Sequence, residues 1–373
     1  MPTGSTSFED VRRQLGALLI LPEDAGVSMP PAAYALDEVC DAEVQAIFGQ
    51  DWVCLGREEE IPEPGDYFTT RVVGEPLIVV RGDDREVNVL TNVCRHKWSE
   101  VAEGKGNAKV FTCPYHAWTY RRDGRLLGAP YMDKTEGFDT KSCALPQQKS
   151  ALWHGFIFVT LNPEAAELAD QLSNLEPLVA HYGMDKMQLF TGAEEVWATN
   201  WKLLVENFTE GYHTFQAHRE TLHKAVPTEL TYWGHADAHF SAFYSPFSPD
   251  EPSREPYCPD LTADERKHVL MISLYPSLVL ALAPDRVFYM CITPDGPDHT
   301  RVRWGVASYG EEFTYQGIKD IAKFYDLINA EDKVRLESIQ RGIKSRFAAQ
   351  SRMSWLELTN AQFGRYVARA LAD

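Results

Sequence analysis

The sequence predicts an α+β fold in two parts, a small antiparallel β domain followed by a larger α+β domain. Three observations carry that expectation. A length of 373 residues exceeds what one core of ordinary size buries and suits two domains. Between Trp52 and Leu161, short β-rich runs alternate with Gly-Asp, Asp-Gly and Pro-Gly turns, the texture of a small antiparallel domain. Beyond Asn162-Pro163 the pattern turns helical, then mixes strands with helices.

Composition narrows the class. Hydrophobic residues make up 44% and charged residues 24%, ordinary values for a globular chain. The net charge of -18 argues against nucleic acid as a partner and against docking on anionic membranes, since both need a basic surface. No apolar run approaches the ~20 residues that span a bilayer. Arg12-Arg13 precede Leu15–Leu21, as in an export signal. But Glu9 and Asp10 come before them, Pro22-Glu23-Asp24 come after, and no small-residue cleavage site follows, so a short amphipathic helix is expected. Of seven cysteines, Cys40, Cys54, Cys143, Cys258 and Cys291 are scattered singly; a secreted disulfide scaffold is not expected, and a reducing cytoplasm is.

Along the chain, residues 1–45 read as a helical leader that runs into a helix around Leu36–Phe48. The β domain, 46–162, has candidate strands at Tyr67–Val73, Pro76–Arg81, Val87–Val93, Val110–Cys113 and Phe156–Leu161. In the last domain, 163–373, Leu168, Leu172, Leu175 and Leu178 recur at helical spacing. One helix is expected near 201–222, with strands at Leu230–Phe243, Val269–Leu274, Val279–Ala283, Val287–Thr293 and Thr300–Tyr309. Ser245–Pro259 reads as a long Pro-rich loop, and the chain from about Thr314 as helical. No internal repeat is visible.

Two constellations carry chemistry. In the first, Cys94-Arg95-His96 precedes Cys113-Pro114-Tyr115-His116. Two loops that each offer a thiolate and an imidazole suit a [2Fe–2S] cluster with thiolates on one iron and imidazoles on the other. A structural zinc site is the bland alternative. The segment resembles the Rieske motif of ring-hydroxylating and demethylating oxygenases, which implies Cys94, His96, Cys113 and His116 as cluster ligands. Lys97-Trp98 departs from the Arg-Gly that often follows the first His there.

In the second constellation, Asn200-Trp201-Lys202 leads into Glu206-Asn207-Phe208-Thr209-Glu210-Gly211-Tyr212-His213, and His218 follows. Two His and a carboxylate with open positions form the facial triad of non-haem Fe(II) oxygenases. The imidazoles converge only if the helix bends or ends after Gly211. The segment resembles the catalytic motif of Rieske oxygenase α subunits. That resemblance implies a helix-grip (START-like) catalytic domain in which His213 and His218 hold mononuclear Fe(II). The family's third ligand is a distant carboxylate before a Gln-x-Gly turn. Ala330-Glu331-Asp332, with Glu337 and Gln340-Arg341-Gly342 beyond, matches that neighbourhood, with Asp332 preferred and Glu331 as the alternative. Glu210 matches the bridge between the two metal centres, where many relatives have Asp. Because that bridge joins neighbouring chains, the resemblance implies a homotrimer or a multiple of three. His223, His235 and His239 receive no role.

The expected activity is that of a terminal oxygenase using O2 on a small organic substrate, with electrons from an NAD(P)H-dependent reductase of flavin or ferredoxin type. The Glu bridge and layout resemble carnitine and glycine betaine monooxygenases, which oxidise N-methyl groups; aromatic ring-hydroxylating dioxygenases are the competing reading. A Rieske electron carrier without catalysis is the reading from another class, and leaves the second constellation idle. From Cys94 to Arg125, seven basic residues (Arg95, Lys97, Lys105, Lys109, Arg121, Arg122, Arg125) stand against three acids. That is a local basic face that suits an acidic electron donor. Tyr232, Trp233, Phe240, Phe243, Tyr244, Phe247 and Tyr257 crowd the region after the iron motif. They are either an aromatic pocket or sheet core, and the Ser245–Pro259 loop is a candidate gate.

Overall fold

The structure, a computed structural model, describes residues 6–22, 24–252, 254–310 and 315–372. Glu23, Ser253 and Thr314, which fall in segments discussed above, lie outside the described residues. The chain divides into two compact units, one of residues 48–165 and one of residues 1–47 with 166–373. The segment expected as a leader therefore clusters with the second unit. Among the described residues no helix is long and apolar enough to cross a membrane, and no disulfide joins the cysteines.

The smaller unit is antiparallel throughout. Its strands are β1 (Val53–Arg57), β2 (Asp66–Val72), β3 (Glu75–Arg81), β4 (Val87–Thr91), β5 (Lys105–Asn107), β6 (Phe111–Thr112), β7 (Thr119–Tyr120), β8 (Leu126–Gly128), β9 (Lys149–Trp153) and β10 (Phe156–Thr160). They form three sheets, ordered β1-β10-β9, β4-β3-β2-β5 and β6-β7-β8. Alternation and β-branched content mark β2, β3, β4 and β10 in the sequence. The expected strand Val110–Cys113 contains β6, whereas β5, β7 and β8, of two or three residues each, are too short to show a period. Ile78, Val80, Leu90, Phe111, Trp118 and Tyr120 form a core that also takes in Cys94 and Cys113.

In the larger unit, α1 (Phe8–Leu19) starts on a capping box between Ser7 and Asp10 and buries Val11, Leu15 and Leu18 at helical spacing. The helices α2 (Asp37–Glu43), α3 (Leu168–Gln171), α4 (Glu176–Val179), α5 (Trp201–Phe208), α6 (Thr214–Ala217), α7 (Leu222–Ala225), α8 (Tyr315–Ile343) and α9 (Leu358–Leu371) follow. Arg12 is half-buried beside α9 and Arg13 is exposed. Arg12 Nε donates to Leu371 O of α9 at 2.9 Å, and Arg13 pairs with Asp10.

A seven-stranded antiparallel sheet carries this unit: β11 (Gln188–Trp197), β12 (Tyr232–Ala236), β13 (Phe240–Pro246), β14 (His268–Leu274), β15 (Leu278–Ala283), β16 (Arg286–Pro294) and β17 (Thr300–Ser308), ordered β11-β17-β16-β15-β14-β13-β12. The run expected as one strand over Leu230–Phe243 is two, because Asp237 Oδ1 accepts the N–H groups of His239 and Phe240 and closes a turn. The polar strand β11 escaped the sequence reading, since only Trp197 in it is buried. Helix α8 buries Ile328, Asn329, Asp332, Leu336 and Gln340, a face repeating every three to four residues. Gln340 ties this face to the start of α5: its Oε1 accepts Asn200 N at 2.8 Å and its Nε2 donates to Tyr34 O at 3.1 Å. At the base of α5, Lys202 and Glu43 form a fully buried ion pair at 2.5 Å, and Trp201 Nε1 donates to the other Glu43 oxygen.

Candidate metal centres

The two Cys/His loops close in the same way. Cys94 N donates to Ser99 O at 2.9 Å and Trp98 N to Cys94 O at 3.1 Å; Cys113 N donates to Trp118 O at 2.8 Å and Ala117 N to Cys113 O at 3.0 Å. The fourth residue after each Cys is left-handed, Trp98 at φ 58° and Ala117 at φ 57°. Glycine takes this conformation freely, so a non-Gly residue stores strain of about 1–3 kcal/mol. At the position where the sequence departs from Arg-Gly, Trp98 is 76% exposed. Its ring stays off the core.

These loops bring the four residues together. Cys94 and Cys113 are buried, and the rings of His96 and His116 lie 4.5 Å apart, with His96 stacked on Trp118. Desolvation, then the neighbouring His116 and Lys97, hold the His96 imidazole below its ordinary value, which favours the neutral, ligating form. Burial raises the Cys113 thiol, but hydrogen bonds from the Tyr115 backbone, Cys94 and the His116 backbone outweigh it and lower the thiol overall. The Tyr120 hydroxyl lies 3.2 Å from Cys94 Sγ and accepts Arg95 N at 3.0 Å. His96 Nδ1 is buried with no hydrogen-bond partner. Two sulfurs and two adjacent imidazoles, one with an orphaned buried nitrogen, fit an asymmetrically ligated iron–sulfur cluster.

The second site is built on the broken end of α5. Asn200 caps the helix, its Oδ1 accepting Lys202 N. The helix expected over 201–222 stops at Phe208, earlier than Gly211. Thr209 turns its hydroxyl back to Val205 O at 2.6 Å and to Ser273 at 2.8 Å, competing with helix continuation. His213 and His218 then stand at the two ends of the single turn α6, their ring centroids 5.2 Å apart. Glu210 and His213 are thus not on one helical face, yet they meet.

Glu210 Oε1 lies 2.6 Å from His213 Nδ1, and its Oε2 accepts the N–H groups of Tyr212 and His213. Glu331 Oε2 lies 2.7 Å from His218 Nδ1 and also accepts the Thr221 hydroxyl. Each imidazole therefore has a carboxylate on Nδ1 and turns Nε2 inward, the arrangement that orients metal-binding histidines. Asp332 Oδ1 lies 3.0 Å from His218 Nε2 and 3.7 Å from His213 Nε2, is buried, and has no partner of hydrogen-bond geometry. The three ligand atoms lie within 4.8 Å of one another. Burial lowers the His213 imidazole, but Glu210, with help from Asp332, raises it to about 9. A buried acceptor facing two imidazole nitrogens fits a cation. Glu331, the alternative ligand, faces the other side of the His218 ring. Of the unassigned histidines, His223 accepts Thr228 N.

A cavity of about 130 Å³ adjoins Asp332, His213 and His218. Its floor is one cross-strand row, Phe243 opposite Met271, Met271 opposite Ala281, and Ala281 opposite Phe288. Phe208, Phe247, Phe324 and Tyr325 close it, with Arg254 at its wall. Only Phe243 and Phe247 belong to the aromatic group singled out in the sequence. Phe240 is core, Tyr232 stacks on Tyr244, Trp233 is 41% exposed, and Tyr257 accepts a bond from Arg266. The missed residues had a signal: Phe324, Ile328 and Asp332 are spaced by four along α8, so they share its face. On its other side Glu210 borders a larger groove of about 740 Å³ that also touches Tyr34, Glu206, His213 and Glu357.

Residues 51–144 match the Rieske [2Fe-2S] domain, and residues 179–373 match the ring hydroxylating alpha subunit catalytic domain. The chain is 32% identical over 330 residues to the carnitine monooxygenase oxygenase subunit of Acinetobacter baumannii, covering 87% of each. It is similar to the solved structure of a quaternary ammonium Rieske monooxygenase (TM-score 0.84, 28% identity, 94% of this chain and 98% of that one). It also shares the fold of naphthalene 1,2-dioxygenase from Rhodococcus (TM-score 0.83, 23% identity, 99% of each).

Proposed function

Because the chain belongs to the Rieske oxygenases with a ring-hydroxylating α-subunit catalytic domain, we propose that it mono-oxygenates a small quaternary ammonium compound at or beside an N-methyl group. It is a terminal oxygenase, an oxidoreductase with a [2Fe–2S] cluster and a mononuclear iron. In this reading Cys94, His96, Cys113 and His116 hold the cluster, His213, His218 and Asp332 hold the iron, and Glu210 bridges the centres. The domains are a β domain over 46–162 and a catalytic domain over 163–373. The observation that carries the proposal is the convergence of two imidazoles and one orphaned carboxylate beside an aromatic cavity.

When bound, the iron supplies O2 activation and the cluster supplies electrons. The chain does the rest. Glu210 and Glu331 fix the two imidazoles with Nε2 inward. The row Phe243–Met271–Ala281–Phe288 excludes water and places the substrate against the metal ligands. Aromatic faces attract a quaternary ammonium group by cation–π interaction, and that substrate class is the one named for the similar carnitine and quaternary ammonium monooxygenases.

A reductase delivers the electrons; we take it to be an NAD(P)H-dependent flavin or ferredoxin-type protein. We also take the assembly to be a homotrimer, in which Glu210, beside the groove, faces a neighbouring chain. The test combines metal and sulfide analysis with reductase-driven oxidation under ¹⁸O2. About three irons and two sulfides per chain, and one labelled oxygen in the product of a trimethylammonium substrate, are expected. Two labelled oxygens in an aromatic product would replace this reading with the dioxygenase one.

A further inference from the structure

The wall of the cavity contains a cation that the proposed chemistry does not use. Arg254, from the loop between β13 and β14, lines the same cavity as His213, His218 and Asp332. Its guanidinium lies 4.7 Å above the Phe247 ring, so its plane is held by packing. Nη2 donates to Glu251 at 2.9 Å. Nε, in contrast, is buried and has no hydrogen-bond partner. An unsatisfied buried donor on a charged group is costly, and a ligand oxygen that met it would recover that cost. The cavity-lining acids, Glu210 and Asp332, already face the two imidazoles. Glu251 balances part of the Arg254 charge, and a substrate carboxylate would meet the donor that Glu251 leaves unused.

Building on the oxygenase reading above, we infer that Arg254 is a specificity-determining residue that anchors a carboxylate of the substrate, with the oxidisable carbon directed toward His213, His218 and Asp332. The planar guanidinium fork matches a carboxylate as an ammonium does not. Carboxylates that fit come from two sources: a zwitterionic trimethylammonium carboxylate, its cationic end against the phenylalanines, or a small aromatic acid with its ring there. A cavity of about 130 Å³ is near the size that admits benzene, which matches the ring or the trimethylammonium end of such a ligand. The Arg254–Glu251 ion pair is the competing use of this side chain, a staple within its own loop.

The test is equilibrium binding by calorimetry to the iron-loaded protein, which needs neither reductase nor turnover. The probes are a trimethylammonium carboxylate and its methyl ester, and benzoate and benzamide. At least one carboxylate is expected to bind about 10- to 100-fold tighter than its uncharged counterpart, and the pair that shows this identifies the source. Arg254→Gln removes that preference, and Arg254→Lys restores it in part. Glu251→Gln separates anchor from staple. It frees the guanidinium, so carboxylate binding strengthens or holds, whereas a mere staple makes Glu251→Gln and Arg254→Gln fail alike. Equal binding of acid and neutral partner, no binding of any probe, or a preference that survives Arg254→Gln overturns the inference. The oxygenase reading fails separately, by absence of iron from the protein or of labelled oxygen in any product.

Discussion

Glu210 Oε1 stands 2.6 Å from Nδ1 of His213, while the same carboxylate accepts the His213 backbone N–H. The contact orients one imidazole from a buried carboxylate that also lines the groove.

Glu210→Gln keeps the shape and removes the charge. Cluster content should stay near normal and iron binding should weaken as for any partner of a ligating imidazole, while at saturating iron electron transfer from reduced cluster to the mononuclear site falls about 10- to 100-fold. Rapid-mixing absorbance of cluster reoxidation in the presence of substrate and O2 reads this directly. An unchanged rate would remove Glu210 from the path.

Asp332 and Glu331 are adjacent on α8 but face different nitrogens of His218. Asp332→Ala should abolish mononuclear iron binding while leaving the visible spectrum of the cluster intact. Glu331→Gln should weaken iron binding by about 10- to 100-fold, because it disturbs only the ring's orientation. Iron titration of the two variants separates them, and the reverse ranking would make Glu331 the ligand.

The basic residues around the cluster are not equivalent. Arg122 is largely buried, donates to Ala108 O and pairs with Asp83; Arg125 pairs with Asp123. Arg95, Lys97 and Arg121 are exposed. Lys97→Glu with Arg121→Glu should slow reduction by the reductase about 10-fold or more at low ionic strength, and the difference should shrink as salt is raised. A stopped-flow rate that ignores both substitutions and salt would argue against electrostatic steering. Arg122→Glu should instead lower thermal stability.

Burial lifts the Glu206 carboxyl to about 7, against the lowering by the Tyr34 hydroxyl, 2.7 Å away, and by Lys202. In the unfolded chain it ionises near 4.5. Between these values the native state holds a proton that the unfolded state has lost. This group's contribution to stability therefore declines as pH rises from about 4.5 to 7 and is level above that. Glu206→Gln should remove the decline, so the variant's Tm relative to the parent should rise across that range. A constant difference in Tm would show that Glu206 ionises normally.

Much of this protein was legible before any fold was known, for a physical reason. Metal ligation and backbone closure need particular residue types at fixed short spacings, so Cys94-x-His96, Cys113-x-x-His116 and the stretch from Glu210 to His218 announce themselves. Strands β2, β3, β4 and β14 to β17 follow from apolar runs of ordinary strand length. Local chemistry also set the break after Phe208, where the Thr209 hydroxyl bonds back to Val205 O, and a tertiary contact with the Ser273 hydroxyl of the distant strand β14 holds that hydroxyl in place.

Tertiary structure decided what rests on register and on facing. Whether Asp332 or Glu331 turns inward depends on how α8 is rotated against the sheet, and two adjacent residues differ by about 100° on a helix. The cavity floor exists only because pairing sets Phe243, Met271, Ala281 and Phe288 in one row. A slip of one residue in any strand would send its side chain to the other face. For the same reason most of the aromatic cluster prominent in the sequence lies elsewhere, and Phe208, Phe288, Phe324 and Tyr325 line the cavity instead. The sequence by itself determined which metals and which reaction class this chain is built for; the tertiary structure decided which surface meets the substrate, because side-chain direction is set by packing between segments that the sequence keeps far apart.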